Sequence, residues 1–228
     1  MSAARQHSVP LHAGVLVPWA NTVVEAELHR VTGLSVSWHY ARLVPASRTT
    51  GLGARFLQDL LEAVPAALAQ LSALPLRYAY LACTSAAFVY PDSTDQVRQG
   101  APVAVVSAFD AILTMLKQIA ASRVVLLTPY PDEITAAEVL MFDRSGITVT
   151  GCASLGLCDG YDTITGEQVR ELIRAAGCAA MDQAEAVVLS CTGWPTLDLI
   201  PELQENLGKP VVSSNLAIGS HAQQAKET

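Results

Sequence analysis

The chain is 228 residues long, 51% hydrophobic and only 15% charged, with a formal net charge of −7. That balance excludes a disordered tail, which needs low hydrophobicity and high charge, and 14 Lys+Arg against 21 Asp+Glu argue against a nucleic-acid partner. Its mean hydropathy of +0.33 comes without an uncharged apolar run of about 18 residues, so the apolar excess is assigned to a buried core and no membrane partner is expected.

Residues 1–10 lack the basic and apolar regions of a secretory signal, and a cytoplasmic location is expected. Short β-rich apolar runs then alternate with longer helical stretches, the pattern of parallel sheets covered by helices on both faces. Strands are predicted at Gly14–Val17, Ser35–Ala41, Tyr78–Ala82, Val103–Val106, Val124–Leu127, Thr148–Ala153, Val187–Ser190 and Val211–Ser213. Helices are predicted at Thr22–Val31, Phe56–Leu71 (kinked at Pro65), Ala108–Ala120, Ile134–Asp143, Gly166–Ala176, Leu197–Leu207 and Asn215–Ala225. Pro91–Gly100, rich in Asp, Ser and Gln, reads as a surface loop with a short helix.

Landmarks recur along this series. Val17-Pro18-Trp19 ends one strand and Thr128-Pro129-Tyr130 another. Cys83 lies 65 residues beyond Pro18, and Cys191 lies 62 beyond Pro129. Each cysteine follows an apolar strand, precedes a Thr and a small residue, and stands 19 residues before a proline that opens a further strand, Pro102 or Pro210. The expected fold is therefore α/β, as two pseudo-symmetric flavodoxin-like or Rossmann-like halves, each with a mostly parallel sheet flanked by helices. Residues 11–106 with 210–228 are expected to form the first half and 107–209 the second, with the active site in the cleft between them.

Five cysteines, an odd number, fit reduced thiols better than a disulfide framework. A single Cys at the end of a buried strand is usually a small core hydrophobe. Cys83 and Cys191 differ by their matched settings, whereas Cys152, Cys158 and Cys178 keep the ordinary reading. Two thiols facing one carbon from opposite sides suit proton transfer between its faces, or attack by one sulfur with proton handling by the other. Backbone N–H groups after each cysteine are expected to favour the thiolate. No C-x-x-C pair and no His ligand spacing occur, so neither metal nor cofactor is expected.

The run Val15-Leu16-Val17-Pro18-Trp19-Ala20-Asn21-Thr22-Val23-Val24-Glu25-Ala26-Glu27 resembles the P-x-x-N-T-x-x-E-x-E opening of maleate cis-trans isomerases. Ala82-Cys83-Thr84-Ser85 and Ser190-Cys191-Thr192-Gly193 resemble their two cysteine motifs, and Thr128-Pro129-Tyr130 the segment with their active-site tyrosine. Pro210-Val211-Val212-Ser213-Ser214 is similar to the last strand and turn of the same superfamily, which also holds arylmalonate decarboxylases and aspartate, glutamate and hydantoin racemases. The resemblance spans residues 11–223. It implies a nucleophilic Cys83, an acid–base Cys191, and a substrate carboxylate or enolate held by Asn21 and Tyr130, with Pro18, Thr84, Ser85, Thr192 and Gly193 completing the binding set. Decarboxylases of the superfamily lack the first cysteine, and its presence here counts against that reaction.

The resemblance breaks at one place. The isomerases carry a second substrate-binding Asn after a Leu-Gly turn, but Leu155-Gly156-Leu157-Cys158-Asp159-Gly160 offers Asp159, which repels a dicarboxylate if it faces the substrate. Tyr161 is the neighbouring residue able to stand in. Trp19 and Trp194 are weighed equally as pocket walls or core. Arg42 and Arg48 are weighed as carboxylate ligands against the commoner solvated role, and Glu25 and Glu27 as family residues against a simple helix-dipole role. The expected activity is cofactor-independent isomerisation of a small carboxylic acid. The alternatives are a two-thiol amino-acid or hydantoin racemase and a non-catalytic carboxylate binder. A homodimer or higher homo-oligomer is expected.

Overall fold

The computed structural model describes residues 9–48 and 51–227. Its first sheet belongs to the run β1 (Leu11–Pro18), α1 (Val24–Thr32), β2 (Val36–Leu43), α2 (Ala54–Glu62), α3 (Val64–Gln70), β3 (Tyr78–Leu81), α4 (Thr84–Val89), α5 (Pro91–Gly100) and β4 (Val105–Ser107). The chain continues through α6 (Ala108–Gln118), β5 (Arg123–Thr128), α7 (Asp132–Arg144), β6 (Thr148–Ser154), α8 (Gly166–Ala176), α9 (Cys178–Gln183), β7 (Ala186–Leu189), α10 (Ile200–Leu207), β8 (Val211–Ser213) and α11 (Ser214–Glu227). The eight strands form two four-stranded sheets, β2-β1-β3-β4 and β6-β5-β7-β8, with every pairing parallel. Identical strand order in the two sheets is the structural form of the repeat read from the sequence.

The central strands explain the apolar excess. Val15, Leu16, Val17, Tyr80, Leu81 and, in the second sheet, Val124 to Leu127 and Val187 to Leu189 are all fully buried. A parallel sheet covered on both faces requires such runs, because no face is left for polar side chains. In each sheet the strand order reverses between the first and third strands in sequence, β1/β3 and β5/β7. Crossovers leave a crevice beyond the strand C-termini at such a switch point.

Several expected elements divide or move. The stretch 56–71 is two helices, α2 and α3, meeting at Ala63, because Pro65 enters at the start of the second helix, where a missing N–H costs nothing. Pro91–Gly100 is a continuous ten-residue helix with Pro91 in the same favourable place. The short helices α4 and α9 had no periodicity to announce them. Within the tail 210–228, two contacts stand out. β8 pairs with β7 in the second sheet, while Gly219 of α11 lies so close to α1 that a Cβ there would stand 2.8 Å from Val31 Cβ.

Polar ties also join the two runs. Glu27 of α1 is only 4% exposed. Its Oε1 accepts from the amides of Thr196 (2.7 Å) and Leu197 (2.9 Å), and its Oε2 accepts from Asn215 Nδ2 (2.7 Å). Asn215 Nδ2 also donates to the Thr192 carbonyl at 3.1 Å. The helix-dipole account of Glu27 is thus incomplete, since the carboxylate anchors the loop behind the second cysteine. Replacing Glu27 by Ala leaves those donors without an acceptor. It is expected to cost about 2–4 kcal/mol in urea unfolding, far more than removing half-buried Glu25 with its single ion pair to Arg42.

Candidate active site

The loops at both switch points converge on one cleft of about 610 Å³, its open mouth included. Pro18 and Asn21 follow β1, and Cys83, Thr84 and Ser85 follow β3. Tyr130 follows β5, and Cys191, Thr192 and Gly193 follow β7. All these expected site residues line the cleft. Ala20, Thr22, Leu52, Phe56, Asp159, Tyr161 and Asp162 complete the lining, with Thr22, Asp159 and Asp162 exposed at the mouth.

The two thiols lie on the floor, each only 6% exposed. Cys83 caps the start of α4 in extended geometry. Its Sγ lies 3.6 Å from Ser85 Oγ, and the amides of Ser85 and Ala86 also point to it. Cys191 Sγ accepts from the Gly193 amide at 3.2 Å and from the Tyr130 hydroxyl. These donors favour a thiolate, as the sequence suggested, but burial outweighs them. Desolvation raises the Cys83 thiol above its usual range and pushes Cys191 up to about 12. Both residues therefore rest as thiols near neutral pH, contrary to the expected thiolate. A charge on Cys83 raises Cys191 further, so the pair favours losing one proton only. Tyr130, fully enclosed, is driven well above its ordinary range by burial first and by Cys191 next, and stays a phenol.

Asn21 is held from both ends. Its Oδ1 accepts from the amides of Val23 (2.9 Å) and Val24 (3.1 Å), capping α1, which fixes the amide orientation. Its Nδ2 donates to Thr192 Oγ1 at 3.1 Å, leaving one N–H for a ligand. Thr192 Oγ1 in turn donates to the Ala82 carbonyl at 2.7 Å. The Thr192 hydroxyl is therefore occupied, and it couples the first cysteine's strand to the second cysteine's loop instead of supplying a donor. Thr84 is similarly engaged with Ser214 Oγ at 3.0 Å, and Ser214 Oγ accepts from the Cys191 amide at 3.0 Å. Ser214, at the start of α11, thus links both cysteine loops.

Other sequence readings resolve against function. Arg42 does not line the cleft; it donates to the Asn21 carbonyl and pairs with Glu25 at 2.8 Å. Arg48 does not reach the lining either. Trp194 is fully buried with Nε1 unpartnered, and Trp19 packs against the core, so neither forms the pocket wall. Tyr161 does line the cleft, but its hydroxyl donates to the Leu157 carbonyl at 3.1 Å and is not free to replace the missing Asn. The Leu52 amide donates to the Cys158 carbonyl at 2.6 Å, tying two neighbouring parts of the cleft wall together. Among the described residues no three His, Cys, Asp or Glu side chains gather as a metal site.

The sequence reading missed Glu138. It is fully buried on α7 between Ile134 and Phe142, where four-residue spacing puts all three on one inward stripe. An acid inside such a stripe was the available signal. Ser190 Oγ donates to its Oε1, and its Oε2 has no partner. Burial raises this carboxyl to about 8 from an ordinary 4.5. Ser190 directly precedes Cys191, and the Glu138 charge acts on both Cys191 and Tyr130.

The sequence profile of the arylmalonate decarboxylase family matches residues 93–225, more than half of the chain. The protein belongs to the arylmalonate decarboxylase family. An arylmalonate decarboxylase from Bordetella bronchiseptica is 34% identical over 109 residues, covering 47% of this chain and 45% of that protein. This match spans about half the length of that relative. A maleate isomerase from Nocardia farcinica is 28% identical over 225 residues, covering 90% of this chain and 85% of its own. The structure of N. farcinica maleate cis-trans isomerase with a covalently bound succinylcysteine intermediate superposes with a TM-score of 0.83 at 22% identity, covering 95% of this chain and 93% of the other. That likeness establishes the fold of two four-stranded parallel sheets.

In this member of the arylmalonate decarboxylase family, Glu138 carries a testable electrostatic signature. The folded protein holds its proton up to about pH 8, whereas an unfolded chain releases it near 4.5. Its contribution to stability is complete below the lower value and is lost as pH rises through the upper one, with a slope of at most about 1.4 kcal/mol per pH unit. Tyr130 and Cys191 stay neutral across that window. Urea unfolding of Glu138→Gln is expected to lack this component of the pH dependence.

Proposed function

We propose that the protein is a cofactor-independent cis-trans isomerase of a small unsaturated carboxylic acid, with Cys83 as nucleophile and Cys191 as acid–base partner. The observation that carries the reading is the pair of buried thiols at matched switch points of two sheets, both opening on one cleft. The maleate isomerases among its relatives support it, as does the succinylcysteine intermediate in the N. farcinica structure. A decarboxylase needs one acid to protonate the carbanion left by CO2 and gives no role to the opposing thiol.

The cycle begins after the pair releases one proton to solvent. Cys83 thiolate forms a C–S bond to one alkene carbon, and the π electrons move onto the other carbon and its conjugated carbonyl. Asn21 holds a substrate oxygen by its remaining N–H, a hydrogen bond that strengthens as negative charge develops, while the Tyr130 hydroxyl donates to Cys191 Sγ and steadies the thiolate formed there. Cys191 thiol donates its proton to that second carbon and becomes the thiolate. The former double bond is now single and rotates. Cys191 then removes a proton, the double bond reforms in the trans geometry, and Cys83 leaves as thiolate. Burial of both sulfurs keeps water from the charged intermediate.

A panel of cis-butenedioic acid derivatives tests this reading. Cys83→Ser and Cys191→Ser are each expected to lower turnover by about 10²–10⁴-fold. Mass spectrometry of quenched Cys191→Ser should find one substrate equivalent on Cys83. Full turnover by either variant would remove the mechanism.

A further inference from the structure

We propose that the substrate carries a single carboxylate and that its second carbonyl is an uncharged amide whose N–H groups are received by Asp159 and Asp162 at the cleft mouth. The inference rests on the isomerase reading above and names the substrate class of that same site.

The charges lining the cleft are one-sided. Asp159 and Asp162 are its only charged lining residues, and no Lys, Arg or His lines it among the described residues. Both aspartates are exposed, whereas the thiols lie on the buried floor. Asp159 Oδ1 accepts from the Gly160 amide at 2.8 Å, and Asp162 Oδ2 from Thr22 Oγ1 at 3.3 Å. Each carboxylate keeps its other oxygen for an incoming donor. Arg42 of β2, outside the lining, is engaged by Glu25 and the Asn21 carbonyl.

A four-carbon enedioate has carboxylates at both ends of a rigid double bond. One can lie deep, against the remaining Asn21 N–H and Ser85 Oγ. The other then points to the mouth, where the Tyr161 hydroxyl is already bonded to Leu157 and the free oxygens belong to acids. In a cleft partly closed by Leu52 and Phe56, like charges repel more strongly than in bulk water. An amide removes that repulsion and supplies two donors matching the free carboxylate oxygens. It also stays conjugated to the alkene, so thiol addition remains activated. An ammonium group would satisfy the aspartates without activating the double bond, and an ester would activate it without donating.

Maleate, its monoamide and its monomethyl ester separate these cases. Proton NMR of the alkene signals follows isomerisation of each by the intact protein. The monoamide is expected to exceed both maleate and the ester in kcat/KM by about tenfold or more. The paired substitution Asp159→Asn with Asp162→Asn should narrow the preference over maleate by improving maleate. Maleate turned over as well as the monoamide overturns this inference and leaves the isomerase reading standing. Equal rates for amide and ester also overturn it, because donation would then count for nothing. Turnover of none of the three removes the isomerase reading and this inference with it.

Discussion

Glu27 sends a carboxylate from the first helix of one sheet's run into a turn belonging to the other. There it meets two backbone amides and the Asn215 side chain, which itself also donates to the Thr192 carbonyl. A carboxylate this deeply buried is tolerable only because both oxygens are engaged. Its geometry fixes the loop after β7, and that loop carries Cys191. Thr192 then passes the constraint on to Ala82 and Asn21, so the ordering of one cysteine loop is not independent of the other. Two sheets that share no strand pairing are thereby aligned at the level of individual hydrogen bonds.

Burial decides the chemistry more than charge does. The chain is acidic overall, and among the described residues no Lys, Arg or His lines its cleft. Its thiols are surrounded by donors, yet remain protonated because desolvation is the larger effect. The same enclosure keeps Tyr130 a phenol and Glu138 a neutral acid. The floor of the cleft is thus a set of uncharged groups poised to accept negative charge, beneath two exposed aspartates, Asp159 and Asp162. Depth separates these two environments within one cleft.

How much of this was legible in the sequence follows from which forces are local. Strands were readable because parallel sheets need continuous β-branched runs, and the matched cysteine motifs were readable because two switch points repeat one geometry. The division of the helix at Ala63 was foreshadowed by Pro65, though as a kink and not a break. Other features depend on partners far apart in sequence. Glu27 looked like a dipole residue until Thr196 and Asn215 came into place, and Arg42 looked available until Glu25 occupied it. Whether β8 joined the first or second sheet depends on pairing with β7, which no pattern within Val211–Ser213 records. The balance of donors against desolvation at Cys83 and Cys191 is likewise a property of the assembled cleft.

The contrast between enclosed and surface cysteines has a redox consequence. Oxidation to sulfenic acid proceeds through the thiolate and requires access by the oxidant. Cys83 and Cys191 offer neither at rest, whereas Cys152, Cys158 and Cys178 stand exposed to solvent. Peroxide reaching this protein therefore meets three exposed sulfurs before the pair in the cleft. The desolvation that withholds reactivity from the resting thiols also shields them from oxidative damage.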